Sequence, residues 1–76
     1  MRDLSMLGIG EKAHIKGFKQ NSTISLKLME MGCLPNAEVV VYQCAPFGCP
    51  LCIEVGGMCL SLRRKEASNI LVQELQ

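Results

Sequence analysis

The stretch LCIEVGGMCLSL, residues 51–62, decides how this chain folds. Two alternating apolar runs flank Gly56-Gly57, and a glycine pair in that setting specifies a two-residue hairpin turn. Register then follows: Val55 faces Met58, Glu54 faces Cys59, Ile53 faces Leu60 and Cys52 faces Ser61. Successive strand residues point to opposite faces. Leu51, Ile53, Val55, Met58, Leu60 and Leu62 are therefore expected on the apolar side, and Cys52, Glu54, Cys59 and Ser61 on the other. Cys52 and Cys59 become diagonal neighbours with Cα atoms roughly 7–8 Å apart, whereas a disulfide prefers less than about 7 Å. Cysteine is among the most often buried residues, so the outer face calls for a cover: another strand, a partner chain or a ligand.

Working outward, Glu38–Cys44 (EVVVYQC) is rich in β-branched and aromatic residues and reads as a strand. Before it, Ile24, Leu28 and Met31 recur at i, i+4 and i+7, with Asn21 or Ser22 as N-cap, and predict a short helix. Gly32 suits the position just past its end, where positive φ is needed, and Pro35 cannot continue the turn. Pro35-Asn36 fits the centre of a type II turn. Residues 11–18 alternate, with Ala13, Ile15 and Gly17 on one side, as a half-buried strand does. After the hairpin, residues 63–75 read as a helical turn and a last strand from about Asn69. The expectation is a mainly β domain of about five short strands and one helix, with a small barrel closing the edges that an open sheet would leave bare.

The totals narrow the function. A chain of 76 residues makes one small domain that buries only about 60–65% of its unfolded surface. Hydrophobic residues make up 49% but aromatic ones only 4%, so the core is expected from Leu, Ile, Val, Met and Cys. A net charge of +1 exerts no long-range pull on nucleic acid or anionic lipid, which argues against nucleic-acid binding. No window approaches a membrane span and no long apolar run marks a signal peptide, so a cytosolic setting is expected, with five cysteines as thiols or ligands rather than disulfides.

Cys49 and Cys52 form a C-x-x-C pair, but a structural zinc site wants a second such pair and the chain has none. Cys33, Cys44, Cys59 and His14 could complete a shell only through tertiary proximity. The Cys44-x4-Cys49-x2-Cys52 spacing matches a [2Fe-2S] pattern, yet Cys59 follows too closely for its fourth ligand. A redox dithiol would sit at a helix N-terminus, where its thiolate is stabilised, and this pair opens a strand. Packing in a tight barrel or interface accounts for the thiols without any ligand. His14 beside Lys16, the methionines Met29, Met31 and Met58, and the run Arg63-Arg64-Lys65 read as solvated or core side chains. No nucleophile, triad, carboxylate pair or phosphate loop is present, so no enzyme is expected.

Leu28, Met31-Gly32, Pro35, Val39 to Val41, the loop Ala45 to Gly48, Pro50, Gly57, Leu62-Arg63, Glu66-Ala67 and Ile70 to Val72 stand in an order and spacing that resembles the FeoA family. The resemblance runs from about Leu4 to the end. It implies an SH3-like barrel that serves as a cytosolic, non-catalytic accessory of the bacterial ferrous-iron transporter FeoB. A related barrel ends the iron-dependent repressors, but the helix-turn-helix that would make this chain one is lacking. Asn36 replaces the family's usual Gly. Cys49 replaces its usual Asp, so PFGCP is the family loop with a thiol for a carboxylate, and the resemblance implies no metal ligand there. Docking on FeoB, and with it recruitment to the inner membrane face, is expected through an apolar helix end, Leu28, Met31, Leu34 and Pro35, with packing of the helix onto the barrel as the other role for Leu28 and Met31. The alternative is a metal-binding or iron-sensing module holding Fe(II) or Zn(II) on Cys49, Cys52 and Cys59. Weak self-association through the outer hairpin face would cover the thiols without metal.

Overall fold

The computed structural model of the chain describes residues 2–20, 22–44 (without the Cys44 side chain) and 50–74. Cys49, the loop of residues 45–48, Asn21 and Leu75 lie outside the described residues. Among the described residues six strands, β1 (Arg2–Asp3), β2 (Lys12–Phe18), β3 (Glu38–Cys44), β4 (Leu51–Val55), β5 (Met58–Leu62) and β6 (Ile70–Glu74), accompany two helices, α1 (Thr23–Glu30) and α2 (Arg64–Ala67), and a 3-10 turn at Leu4–Met6. All strand pairs are antiparallel, in the order β1-β6-β2-β3-β4-β5.

Gly56 and Gly57 take φ of 57° and 80°, the two left-handed values of a type I′ turn. The β4–β5 register is the one the glycine pair dictates, from Val55 opposite Met58 to Leu51 opposite Leu62. Leu51, Ile53, Val55 and Leu62 are buried as expected, each burial contributing about 1.5–3 kcal/mol. Met58 is 55% exposed, so its place on the apolar side does not put it in the core. It stands at the turn end of the outermost strand, and among the described residues no strand lies beyond β5 to cover it. Register shifts between Ile15 and Gly17 in β2 and between Val41 and Gln43 in β3 act as bulges, which bend strands and raise their twist. The sheet thus curls around a core that also takes in Val39, Val41, Ile70 and Val72. Its outer strands β1 and β5 are not paired with each other, so the edges that closure was expected to hide stay open among the described residues.

Helix α1 begins and ends on side-chain and backbone caps. Ser22 and Ser25 cap each other's backbone N–H groups. At the other end Gly32, at φ 110°, lets its N–H reach the Met29 carbonyl and the Cys33 N–H reach the Leu28 carbonyl, both at 3.0 Å. This is the Schellman closure, and the buried pair Leu28 and Cys33 supplies its apolar contact. The buried face differs from the periodic expectation. Ile24 is exposed and Ser25 is buried beside Leu28. The Ser25 hydroxyl donates to the Gln20 carbonyl and accepts from Asn69 Nδ2 at 3.2 Å, so the polar group enters the interior fully satisfied.

The N-terminal strand is held by charge. Arg2 reaches Glu11 at 2.7 Å, pairs with Glu74 of β6, and donates to the Met6 carbonyl at 2.7 Å. Asp3 is buried, accepts from Ser5 and pairs with Lys19 at 3.0 Å. Among the described residues no helix is long and apolar enough to cross a membrane.

Candidate functional site

The end of α1 and the turn after it carry the four residues expected to meet a partner, and the structure divides them. Leu28 has no accessible surface, so it is a core residue and offers nothing to a docking partner. Its carbonyl is also consumed by the helix stop. Met31 is half-buried, packed against the core on one side. Leu34 is 51% exposed and Pro35 is exposed.

The turn that presents Leu34 and Pro35 is stiff. Asn36 sits at φ 70°, the left-handed conformation that Asn tolerates better than most residues, and the Ala37 N–H bonds the Leu34 carbonyl at 3.1 Å. The turn is then tied to β2 in both directions: the Asn36 N–H donates to the Ile15 carbonyl at 2.7 Å, and the Ile15 N–H to the Ala37 carbonyl at 2.9 Å. An exposed leucine and proline held on a backbone pinned in this way cost little entropy when a partner orders them.

Two further apolar residues near this surface, neither among the four expected to meet a partner, are exposed. Ile24, seven residues before Met31, shares a flank of α1 with it, and Leu26 is 60% exposed on the opposite flank. Leu26 and Met29 line a shallow hollow with Ser22 and Ser25. Their signal was available in α1's sequence: four of its eight residues, Ile24, Leu26, Leu28 and Met29, are apolar, more than one narrow face can bury.

The second candidate is the outer face of the hairpin. Cys52 is half-buried, with its Sγ 3.6 Å from Ser61 Oγ, and Cys59 is exposed. Tyr42, at the β3 bulge, leans over them: its phenol is pushed up first by the Cys59 thiol beside it, then by burial and by Cys52 and Glu54. Cys33 stands apart, buried in the core, and burial pushes its thiol up as well. Among the described residues no three His, Cys, Asp or Glu side chains converge as a metal shell would require. His14 lies between Glu38 and Gln73 in the sheet, on β2, which β3 separates from the hairpin that carries the thiols. Cys49, the third thiol of the expected set, lies outside the described residues.

Known proteins share this architecture. FeoA of Chlorobium tepidum is 32% identical, covering 97% of this chain and 70% of its own, with a TM-score of 0.89. The FeoA-like protein of Clostridium acetobutylicum is 34% identical over 97% of this chain and 86% of its own, with a TM-score of 0.89. Stenotrophomonas maltophilia FeoA, an SH3 domain protein seen in complex with zinc, is 28% identical over 96% of this chain and 91% of its own, with a TM-score of 0.85. No curated protein sequence matches. The FeoA domain model matches residues 2–74, from β1 to the end of β6. With its curled, mainly β, SH3-like sheet and that match along its length, this chain belongs to the FeoA family, whose members are non-catalytic accessories of ferrous iron transport.

Proposed function

We propose that the chain acts as a single docking module on the cytosolic part of the ferrous-iron transporter FeoB, working in the cytoplasm at the inner face of the membrane and catalysing nothing itself. The observation that supports this reading is the pinned turn that holds Leu34 and Pro35 outward. Met31 and Ile24 extend that apolar surface along one flank of α1. A net charge of +1 supplies little steering, so contact rests on a small apolar patch, which gives a modest and transient interface. The test is capture of the FeoB cytosolic region by the purified chain, read with ferrous uptake in cells. Leu34→Asp weakens binding by about tenfold or more and lowers uptake, while the unfolding midpoint stays close to that of the parent. Unchanged binding by a folded Leu34→Asp protein refutes the placement of the surface, and unchanged uptake on deleting the gene refutes the role.

A second reading assigns Fe(II) or Zn(II) to Cys49, Cys52 and Cys59. It is supported by Cys52 and Cys59 sharing one accessible face, and by the zinc complex of the Stenotrophomonas relative. Metal content of the protein purified under reducing, metal-replete conditions tests it. About one metal per chain, lost on Cys52→Ser or Cys59→Ser, supports the reading, and a metal-free protein refutes it.

A further inference from the structure

The free edge of β5 carries information that the FeoB-docking reading does not use. In the type I′ hairpin the turn bond runs from the Met58 N–H to the Val55 carbonyl, so Val55 and Met58 form a hydrogen-bonded pair. Bonded and non-bonded pairs alternate along an antiparallel ladder. Leu60 and Leu62 therefore bond β4 as Met58 does, while the backbone N–H and C=O groups of Cys59 and Ser61 point away from it. Among the described residues no strand lies on that side. The edge has none of the usual guards: MCLSL contains no proline, no charge and no register shift.

What fits such an edge is an extended strand, and the strand that matches it in every position is β5 itself. We propose that two copies of this chain associate through antiparallel β5–β5 pairing about a two-fold axis at Leu60. That axis sets Cys59 against the second copy's Ser61 and Ser61 against its Cys59. Both are bonded pairs, so all four outward backbone groups are satisfied across the junction. Leu60 then meets its own counterpart on the inner face, and Met58 meets Leu62. No like charges face each other along the strand. The basic run that starts at Arg63 decides the direction. In the antiparallel arrangement the two Arg63 residues are separated by six residue steps, about 20 Å at ~3.3 Å per residue, beyond the ~8 Å screening length of physiological salt. Parallel pairing would bring them to about 5 Å, the spacing between neighbouring strands. The two-fold also extends the thiol face into one row, Cys52, Ser61, then the second copy's Cys59, which covers side chains the monomer leaves open.

Sedimentation equilibrium of the full chain under reducing conditions, from about 10 μM to about 1 mM as suits a small interface, tests the proposal. Amide exchange at both ends of that range reads the edge directly. The expected result is a monomer that becomes a dimer across the range, with the Cys59 and Ser61 N–H groups protected only at the high end. Ser61→Pro removes an outward donor while leaving the β4 ladder intact and abolishes the dimer. Ser61→Lys, which guards the edge with charge and leaves the backbone untouched, does the same and serves where the proline variant fails to fold. Cys59→Ser retains the dimer. A chain that is monomeric throughout, a folded Ser61→Pro or Ser61→Lys protein that still dimerises, or a dimer lost with Cys59→Ser, which would mark a covalent link between thiols, each overturns the pairing.

Discussion

Leu28 lies in the last turn of α1 and Leu34 in the turn that follows it, and replacing each with alanine separates packing from docking. Leu28 has no exposure and closes the helix against the sheet. Leu28→Ala therefore loses the full transfer term and leaves a cavity, together about 3–5 kcal/mol. A folded chain of 76 residues has a total stability of only about 4–11 kcal/mol at ~0.05–0.15 kcal/mol per residue. The loss thus removes a large share of it and lowers the melting temperature by more than about 10 °C. Leu34 is 51% exposed, so Leu34→Ala forgoes roughly half of a leucine's transfer energy and opens no cavity, at most about 1.5 kcal/mol. Urea titrations followed by far-ultraviolet circular dichroism, compared at equal m, give both values. Binding to the FeoB cytosolic region is then measured on the folded fraction. The expected pattern is a crossed one: Leu28→Ala is unstable but binds when folded, and Leu34→Ala is stable but binds weakly. A Leu28→Ala cost below about 1 kcal/mol, where burial demands several times that, refutes the assignment of Leu28 to the core.

Ser25→Ala takes the hydroxyl donor from the Gln20 carbonyl and one of two acceptors from Asn69 Nδ2, which keeps its bond to that carbonyl at 3.3 Å, and costs about 1 kcal/mol in the same titration. Asn36→Gly fits the φ of 70° and changes stability by less than about 0.5 kcal/mol, whereas Asn36→Val costs at least about 1 kcal/mol. Burial raises the Asp3 carboxyl, but its bonds from Ser5 and Lys19, with the Lys19 charge, outweigh that and leave it below the ordinary range. Its folded value is thus lower than its unfolded one. The stabilisation is present above about pH 4 and drains away as pH falls through the folded value, and Asp3→Asn flattens that limb of the urea midpoint between pH 5 and pH 2. Iodoacetamide at pH 8 labels Cys59 in the native protein and spares Cys33, whose thiol is buried and pushed up. Labelling of Cys33 at the rate of Cys59 would contradict its placement.

The parts of the fold legible in the sequence are those fixed by a single residue's backbone freedom. Gly56-Gly57 set the hairpin and all five of its register pairs, Gly32 stopped α1, and Asn36 made the turn. The parts that were not legible depend on residues far apart in the chain. Ser25 reads as a solvent residue until Asn69, 44 positions away, meets its hydroxyl, and that contact turns α1 so that Ile24 faces outward. Met58 alternates with the core yet is uncovered, because whether a strand is outermost is a property of sheet order and not of its own sequence. The two-residue β1 is too short to show any period. Of the four residues expected at the docking end, Leu34 and Pro35 are exposed and Leu28 is buried, a division that was not legible because an apolar helix position looks the same in sequence whether it packs inward or outward.

The pairing of β1 with β6 sets Arg2 opposite Val72 and Asp3 opposite Leu71, and Arg2 clasps Glu74 across that seam. The path of the chain therefore enters and leaves the domain at one place. A short flexible link between residues 74 and 2 would close the backbone into a ring, and new ends cut elsewhere, at Gly56-Gly57 for instance, should still yield the same fold. The same geometry lets the module be spliced into a surface loop of another protein without prying its host apart.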